Sequence, residues 1–156
     1  MIILVINCGS SSIKYQLLDM KNDDVYDVLA KGLVEKIGLE TGCLQHTATG
    51  KDKYVIDLPI PDHKVGMKLV LDALTDADHG VLKSLDDIEA VGHRIVHGGE
   101  YFSSSALVNE DVMKKIEICC DFAPLHNPAH LLGIRAVQAV LPSVPQVVTF
   151  DTAFHQ

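Results

Sequence analysis

Leu4-Val5-Ile6-Asn7-Cys8-Gly9-Ser10-Ser11-Ser12-Ile13-Lys14 is the stretch whose reading decides the fold. Residues 2 to 7 form an apolar run closed by Asn-Cys-Gly, and residues 12 to 18 alternate in character, so the segment reads as two strands joined by a tight turn. A Walker A loop is excluded, because that motif needs a second glycine followed by Lys and Ser or Thr and then a helix, whereas Lys14 here precedes Tyr15 in a strand. Gly9-Ser10-Ser11-Ser12 offers consecutive backbone N–H groups beside small side chains, the chemistry of a concave anion site. Strand alternation places Ser10, Ser12 and Lys14 on one face and Ile13, Tyr15 and Leu17 on the other. An ordinary polar hairpin turn has the same composition, since Gly and Ser are common turn residues.

Working outward, further β-rich stretches lie near 25 to 37, 42 to 48 and 53 to 58, punctuated by Gly38, Gly42 and Gly50. Pro59 and Pro61 end this antiparallel region. Asp62 is positioned to cap a helix with an apolar stripe of Val65, Leu69, Val70 and Leu74. Residues 90 to 97 read as a strand, 110 to 120 as a helix capped by Asn109, and 128 to 140 as a helix with Asn127 as cap and Pro128 at its first position. Pro145 leads into a last strand, Gln146 to Phe150. Hairpin-linked strands followed by alternating helix and strand indicate an α/β class, a mixed sheet covered by helices.

The 156 residues are 47% apolar, enough for one domain that buries about two thirds of its unfolded surface. A formal charge of -8 argues against nucleic acid or an anionic membrane as a general partner, because both require a basic face. Cys8, Cys43, Cys119 and Cys120 form no CxxC and share no spacing, which suggests neither a zinc site nor a disulfide framework and fits a reducing compartment. The apolar start is too short for a signal peptide or a membrane span and has no charged leader, so a cytoplasmic location is expected. The ending at Asp151-Thr152-Ala153-Phe154-His155-Gln156, directly after a strand, reads as a cut through a longer protein.

Three further segments carry chemistry. Gly92-His93-Arg94-Ile95-Val96-His97-Gly98-Gly99 sets a guanidinium in an apolar strand, where a carboxylate or phosphate ligand, or equally a structural salt bridge, would satisfy it. His93 and His97 stand four residues apart on a strand, roughly 13 Å, too far to share one metal ion. Pro124-Leu125-His126-Asn127-Pro128 puts a histidine in a loop before a helix, where it could meet a ligand or simply be solvated. Asp151 follows Val147-Val148-Thr149-Phe150 and so lies at the carboxyl end of a strand, a usual ligand position in open α/β sheets; an N-cap role is the alternative.

Together these motifs, with Val91 to Glu100, Ala123 to Pro128 and Phe150 to Gln156 in that order, closely resemble the acetokinase family. The resemblance implies the acetate and sugar kinase, Hsp70 and actin superfamily, with two ribonuclease-H-like domains closing on ATP. Residues 1–150 would be the N-terminal acetokinase domain and 151–156 the start of a second. The implied activity is reversible transfer of the ATP γ-phosphoryl group to acetate, giving acetyl phosphate and ADP, with propionate as the rival substrate. A non-catalytic anion-binding module and an actin-like ATP-driven switch are the alternatives.

By the same resemblance Asn7 helps hold Mg2+, Ser10, Ser12 and Lys14 line the phosphate side, and Arg94 binds the carboxylate. Val96 and Leu125 would border the substrate's methyl group, His126 would lie beside the transferred group, and Asp151 would be the catalytic carboxylate. Acetate is ionised at neutral pH, so Asp151 has no substrate proton to remove, which favours positioning of metal or water over general-base work. Members of the family continue past the position of Gln156 and act as homodimers, so this chain alone is expected to turn over poorly or not at all.

Overall fold

A computed structural model describes residues 1–21, 25–95, 106–107 and 127–150. The opening segment forms strand β1 (Ile2–Cys8) and strand β2 (Ile13–Met20), paired antiparallel with Cys8 opposite Ile13 and Asn7 opposite Lys14. The meander continues antiparallel through β3 (Tyr26–Glu35), β4 (Gly42–Ala48) and β5 (Tyr54–Leu58). β6 (Ala90–Ile95) then lies parallel to β1 on its other side, with Ile6 opposite His93. β8 (Gln146–Phe150) is parallel to β6, and the short β7 (Ala106–Leu107) pairs antiparallel with β8. Among the described residues the sheet has eight strands in the order β5-β4-β3-β2-β1-β6-β8-β7.

The period of two in these strands decides which face is covered. Leu4, Ile6 and Cys8 of β1, Ile13, Tyr15 and Leu17 of β2, and Val91 and His93 of β6 are all buried on one face. Two helices cover it: α1 (His63–Thr75) packs on β2, β3 and β4, and α2 (Asn127–Val140) on β1 and β6. Each large aliphatic side chain taken fully from water there contributes about 1.5–3 kcal/mol. Asn7, Lys14, Gln16 and Arg94 alternate with the buried set and stand exposed on the opposite face.

α1 begins where the sequence indicates. Asp62 is extended, and its carboxylate accepts from the Val65 amide at 2.9 Å, satisfying one N–H that the helix cannot. Its buried stripe is rotated from the expected one: Met67, Val70, Leu71 and Leu74 line the core with His63 and Gly66, while Val65 and Leu69 are only partly buried. Close approach is the reason, since a Cβ on Gly66 would stand 3.1 Å from Cδ1 of Ile13. α2 starts at Asn127, one residue ahead of the expected start. Its Gly133 lies against Cys8, and an added Cβ would collide with the Cys8 sulfur. The expected helix over 110 to 120 lies outside the described residues.

Candidate functional site

β1, β6 and β8 run parallel, so their carboxyl ends gather at one end of the sheet, where the β1–β2 turn also lies. Asn7 is one residue past Ile6, and Arg94 one residue past its partner His93, so both side chains emerge at that end on the uncovered face. Lys14 sits opposite Asn7 on β2. The three form a row, β6 to β1 to β2, in which neighbouring strands stand roughly 4.8 Å apart. A depression of about 160 Å3 lined by Val5, Asn7, Lys14, Tyr15, Gln16 and Arg94 joins them. A row carrying two cations with a carboxamide between them can hold two anionic groups side by side.

The turn itself is fixed from behind. Gly9 N–H donates to Ser12 O at 2.9 Å, so one of the consecutive amides is consumed within the turn. His63 Nε2 lies 2.8 Å from Gly9 O, and Ile37 N–H donates to Ser11 O at 3.0 Å. Among the described residues, no turn or loop hydrogen bond draws on the amides of Ser10 or Ser11. The Cys8–Ile13 pair that closes the hairpin is backed by both helices, through Gly133 at Cys8 and Gly66 at Ile13.

One expected grouping does not hold. β2 begins at Ile13, so strand alternation does not reach back through the serines. Lys14 opens onto the depression with Asn7 and Arg94, whereas Ser10 borders a separate cleft of about 480 Å3 on the helix side, with Asp62, His63, Lys64 and Arg135 among its walls. Ser12 is half-buried. Arg94 is exposed on the uncovered face rather than sunk in the core. Val96, Leu125, His126 and Asp151 lie outside the described residues.

His93, next to Arg94, faces the helices. It is buried, its Nε2–H donates to Gln146 Oε1 at 2.5 Å, and Gln146 in turn reaches Ile134 O at 3.4 Å. Burial lowers its pKa to about 4, so at neutral pH the ring is uncharged. This is a core histidine with its polar atom satisfied, and His97, with which the strand spacing already excluded a shared metal ion, lies outside the described residues. His63 escaped the sequence reading, although a signal existed: with Met67, Val70 and Leu74 it completes the buried face of α1 at helical spacing.

Among the described residues no group of three or more His, Cys, Asp or Glu side chains could hold a metal ion. The Asn7 carboxamide supplies a single hard oxygen donor, which fits a hydrated magnesium ion arriving on a nucleotide's phosphates better than a resident metal. No helix among the described residues is long and apolar enough to cross a membrane.

Acetate kinase 2 of Clostridium perfringens is 60% identical over 154 residues, 99% of this chain and 38% of that protein. The acetate kinase of Clostridium acetobutylicum is 58% identical over 98% of this chain and 37% of its own length. The crystal structure of Porphyromonas gingivalis acetate kinase superposes with a TM-score of 0.93 at 47% identity, covering 98% of this chain and 38% of that one. A propionate kinase from Francisella tularensis superposes with a TM-score of 0.85 at 44% identity, covering 99% and 38%. The chain thus spans about 38% of the length of the relatives it matches. Its mixed sheet and helices match the N-terminal domain of these structures, an actin-like ATPase fold. With the family profile matching residues 2–156 as well, the chain belongs to the acetokinase family.

Proposed function

We propose that this chain is the N-terminal domain of an acetate kinase, residues 1–150, with 151–156 leading into a second domain. The observation that carries the reading is the row Arg94–Asn7–Lys14 at the carboxyl ends of β6 and β1 and the start of β2. Phosphoryl transfer asks a protein chiefly for alignment and charge neutralisation. In this reading Arg94 grips the acetate carboxylate through paired N–H bonds, and Lys14 with the backbone amides of the Ser10–Ser12 turn, rather than the Ser10 side chain, faces the phosphates of ATP. Between them the two cations offset the repulsion of approaching anions.

Asn7 would contribute one oxygen to the magnesium, which when bound neutralises charge on the β- and γ-phosphates. Val96 and Leu125 would border the methyl group and His126 the transferred phosphoryl, with Asp151 positioning metal or water, since acetate brings its own ionised oxygen. A homodimer of the complete protein in the cytoplasm completes the proposal. Propionate is the second reading, favoured by the likeness to the Francisella propionate kinase. One extra methylene alters pocket binding by only about 1–3 kcal/mol.

The test joins this chain to the remaining part of the Clostridium perfringens relative and traps acyl phosphate as hydroxamate, with acetate and propionate in parallel. ATP-dependent product with acetate, faster than with propionate, is expected. A folded chimera giving product with neither carboxylate would sink the proposal.

A further inference from the structure

We infer that His63 is a positioning residue for the phosphate-facing turn: by holding the Gly9 carbonyl it aims the Ser10 amide at the anion. The inference rests on the reading of that turn as phosphate-binding. A carbonyl oxygen can only accept, so the 2.8 Å contact from His63 Nε2 to Gly9 O requires the proton on Nε2. Among the described residues no peptide bond is cis. In a planar trans unit the carbonyl of one residue and the N–H of the next point in opposite directions. Holding Gly9 O toward α1 therefore turns Ser10 N–H away from the helix, and among the described residues no turn or loop hydrogen bond uses it.

Without that hold the peptide has a cheap alternative. Gly9 carries no side chain, so rotation of the Gly9–Ser10 unit meets little steric resistance. A rotated unit would present a carbonyl oxygen where an anion is to sit. The Ile37 amide does the same for Ser11 O at 3.0 Å and so orients Ser12 N–H. His63 differs in reaching the turn through a side chain, from the first turn of a helix that has its own cap at Asp62. Only 6% of His63 is exposed, and Gly66, one turn further, seats α1 against Ile13, so the donor sits on a fixed support.

The test uses the 156-residue chain, 15N-labelled and titrated with inorganic tripolyphosphate while the Ser10, Ser11 and Ser12 amides are followed by NMR. Wild type should show saturable shifts, largest at Ser10. His63→Leu should bind about tenfold more weakly, with the Ser10 shift lost, and His63→Gln, whose amide can still donate, should recover most of the affinity. Melting temperatures of both variants are measured alongside, because a merely structural role would lower stability without discriminating between donor and non-donor replacements in binding.

Equal affinity for His63→Leu and wild type would overturn the inference and leave the phosphate reading standing. No saturable shift in wild type would overturn the phosphate reading and the inference with it. Should His63→Leu not fold, the imidazole 15N shifts of the wild-type protein decide: a protonated Nε2 is expected, and an unprotonated one removes the hydrogen bond on which the inference stands.

Discussion

The hydroxyl of Tyr15 on β2 meets Nδ1 of His46 on β4 at 2.5 Å, passing over Gly32 of the strand between them. His46 Nε2–H donates to His79 O at 3.0 Å, so Nδ1 must be the acceptor and Tyr15 the donor. Burial holds the imidazole pKa down and the phenol pKa up, keeping both neutral. Tyr15→Phe should cost about 1–3 kcal/mol by leaving a buried ring nitrogen unpaired. Gly32→Ala should cost about 3 kcal/mol, because its Cβ would collide with the Tyr15 ring and the Gln45 carbonyl. Urea unfolding measures both, and an unchanged midpoint for Tyr15→Phe would mean that the bond does not form.

Stability should fall on mild acidification, and His93 should dominate the effect. Its pKa drops from an ordinary 6.5 to about 4 in the folded chain, so between those values the unfolded chain binds more protons. The contribution is complete above pH 6.5 and declines as pH falls toward 4, by about 3 kcal/mol at most. His46 acts in the same direction. Unfolding midpoints across this range should flatten in His93→Gln; an unaltered slope would assign the effect to other groups.

Arg94→Ala in the chimeric enzyme should raise KM for acetate by about tenfold or more while leaving KM for ATP within about threefold, since the charge-assisted bonds lost belong to the carboxylate side. Lys14→Ala should show the reverse pattern. Steady-state kinetics with each substrate varied in turn gives the answer, and equal effects of both variants on both substrates would argue against separate anion grips in the Arg94–Asn7–Lys14 row.

Gly133→Ala should destabilise the chain by about 1–3 kcal/mol through its collision with the Cys8 sulfur. Cys8→Ala removes that atom, so the double variant should be more stable than the two single losses added together predict. Additive losses in the double-mutant cycle would place the cost of Gly133→Ala elsewhere.

Much of this organisation was legible in the sequence because it rests on short-range periodicity. Alternation through Ile13, Tyr15 and Leu17 marked the buried face of β2, and Asp62 before a helical pattern marked the start of α1. Gln146 to Phe150 is the strand that was expected. Legibility ended where contrast or locality did. Three consecutive serines carry no apolar signal to show where β2 begins, so Ser10 was grouped with Lys14. Gln146, the partner of His93, lies 53 residues away, and the alignment of Tyr15, Gly32 and His46 depends on register across three strands. Arg94 stands out in the sequence as a charge within an apolar strand, but only the parallel pairing of β1 with β6 brings it beside Asn7.

β1 is made before the other seven strands described, yet it occupies the interior of the sheet, with β2 on one side and β6 on the other. As the chain leaves the ribosome, β1 through β5 can assemble from sequence-adjacent hairpins, whereas the second edge of β1 waits for residues 90–95. During that interval a row of unpaired backbone groups on an apolar strand is open to mispairing with other nascent chains. Slowing translation before residue 90 should therefore lower the soluble yield more than the same pause placed after residue 150.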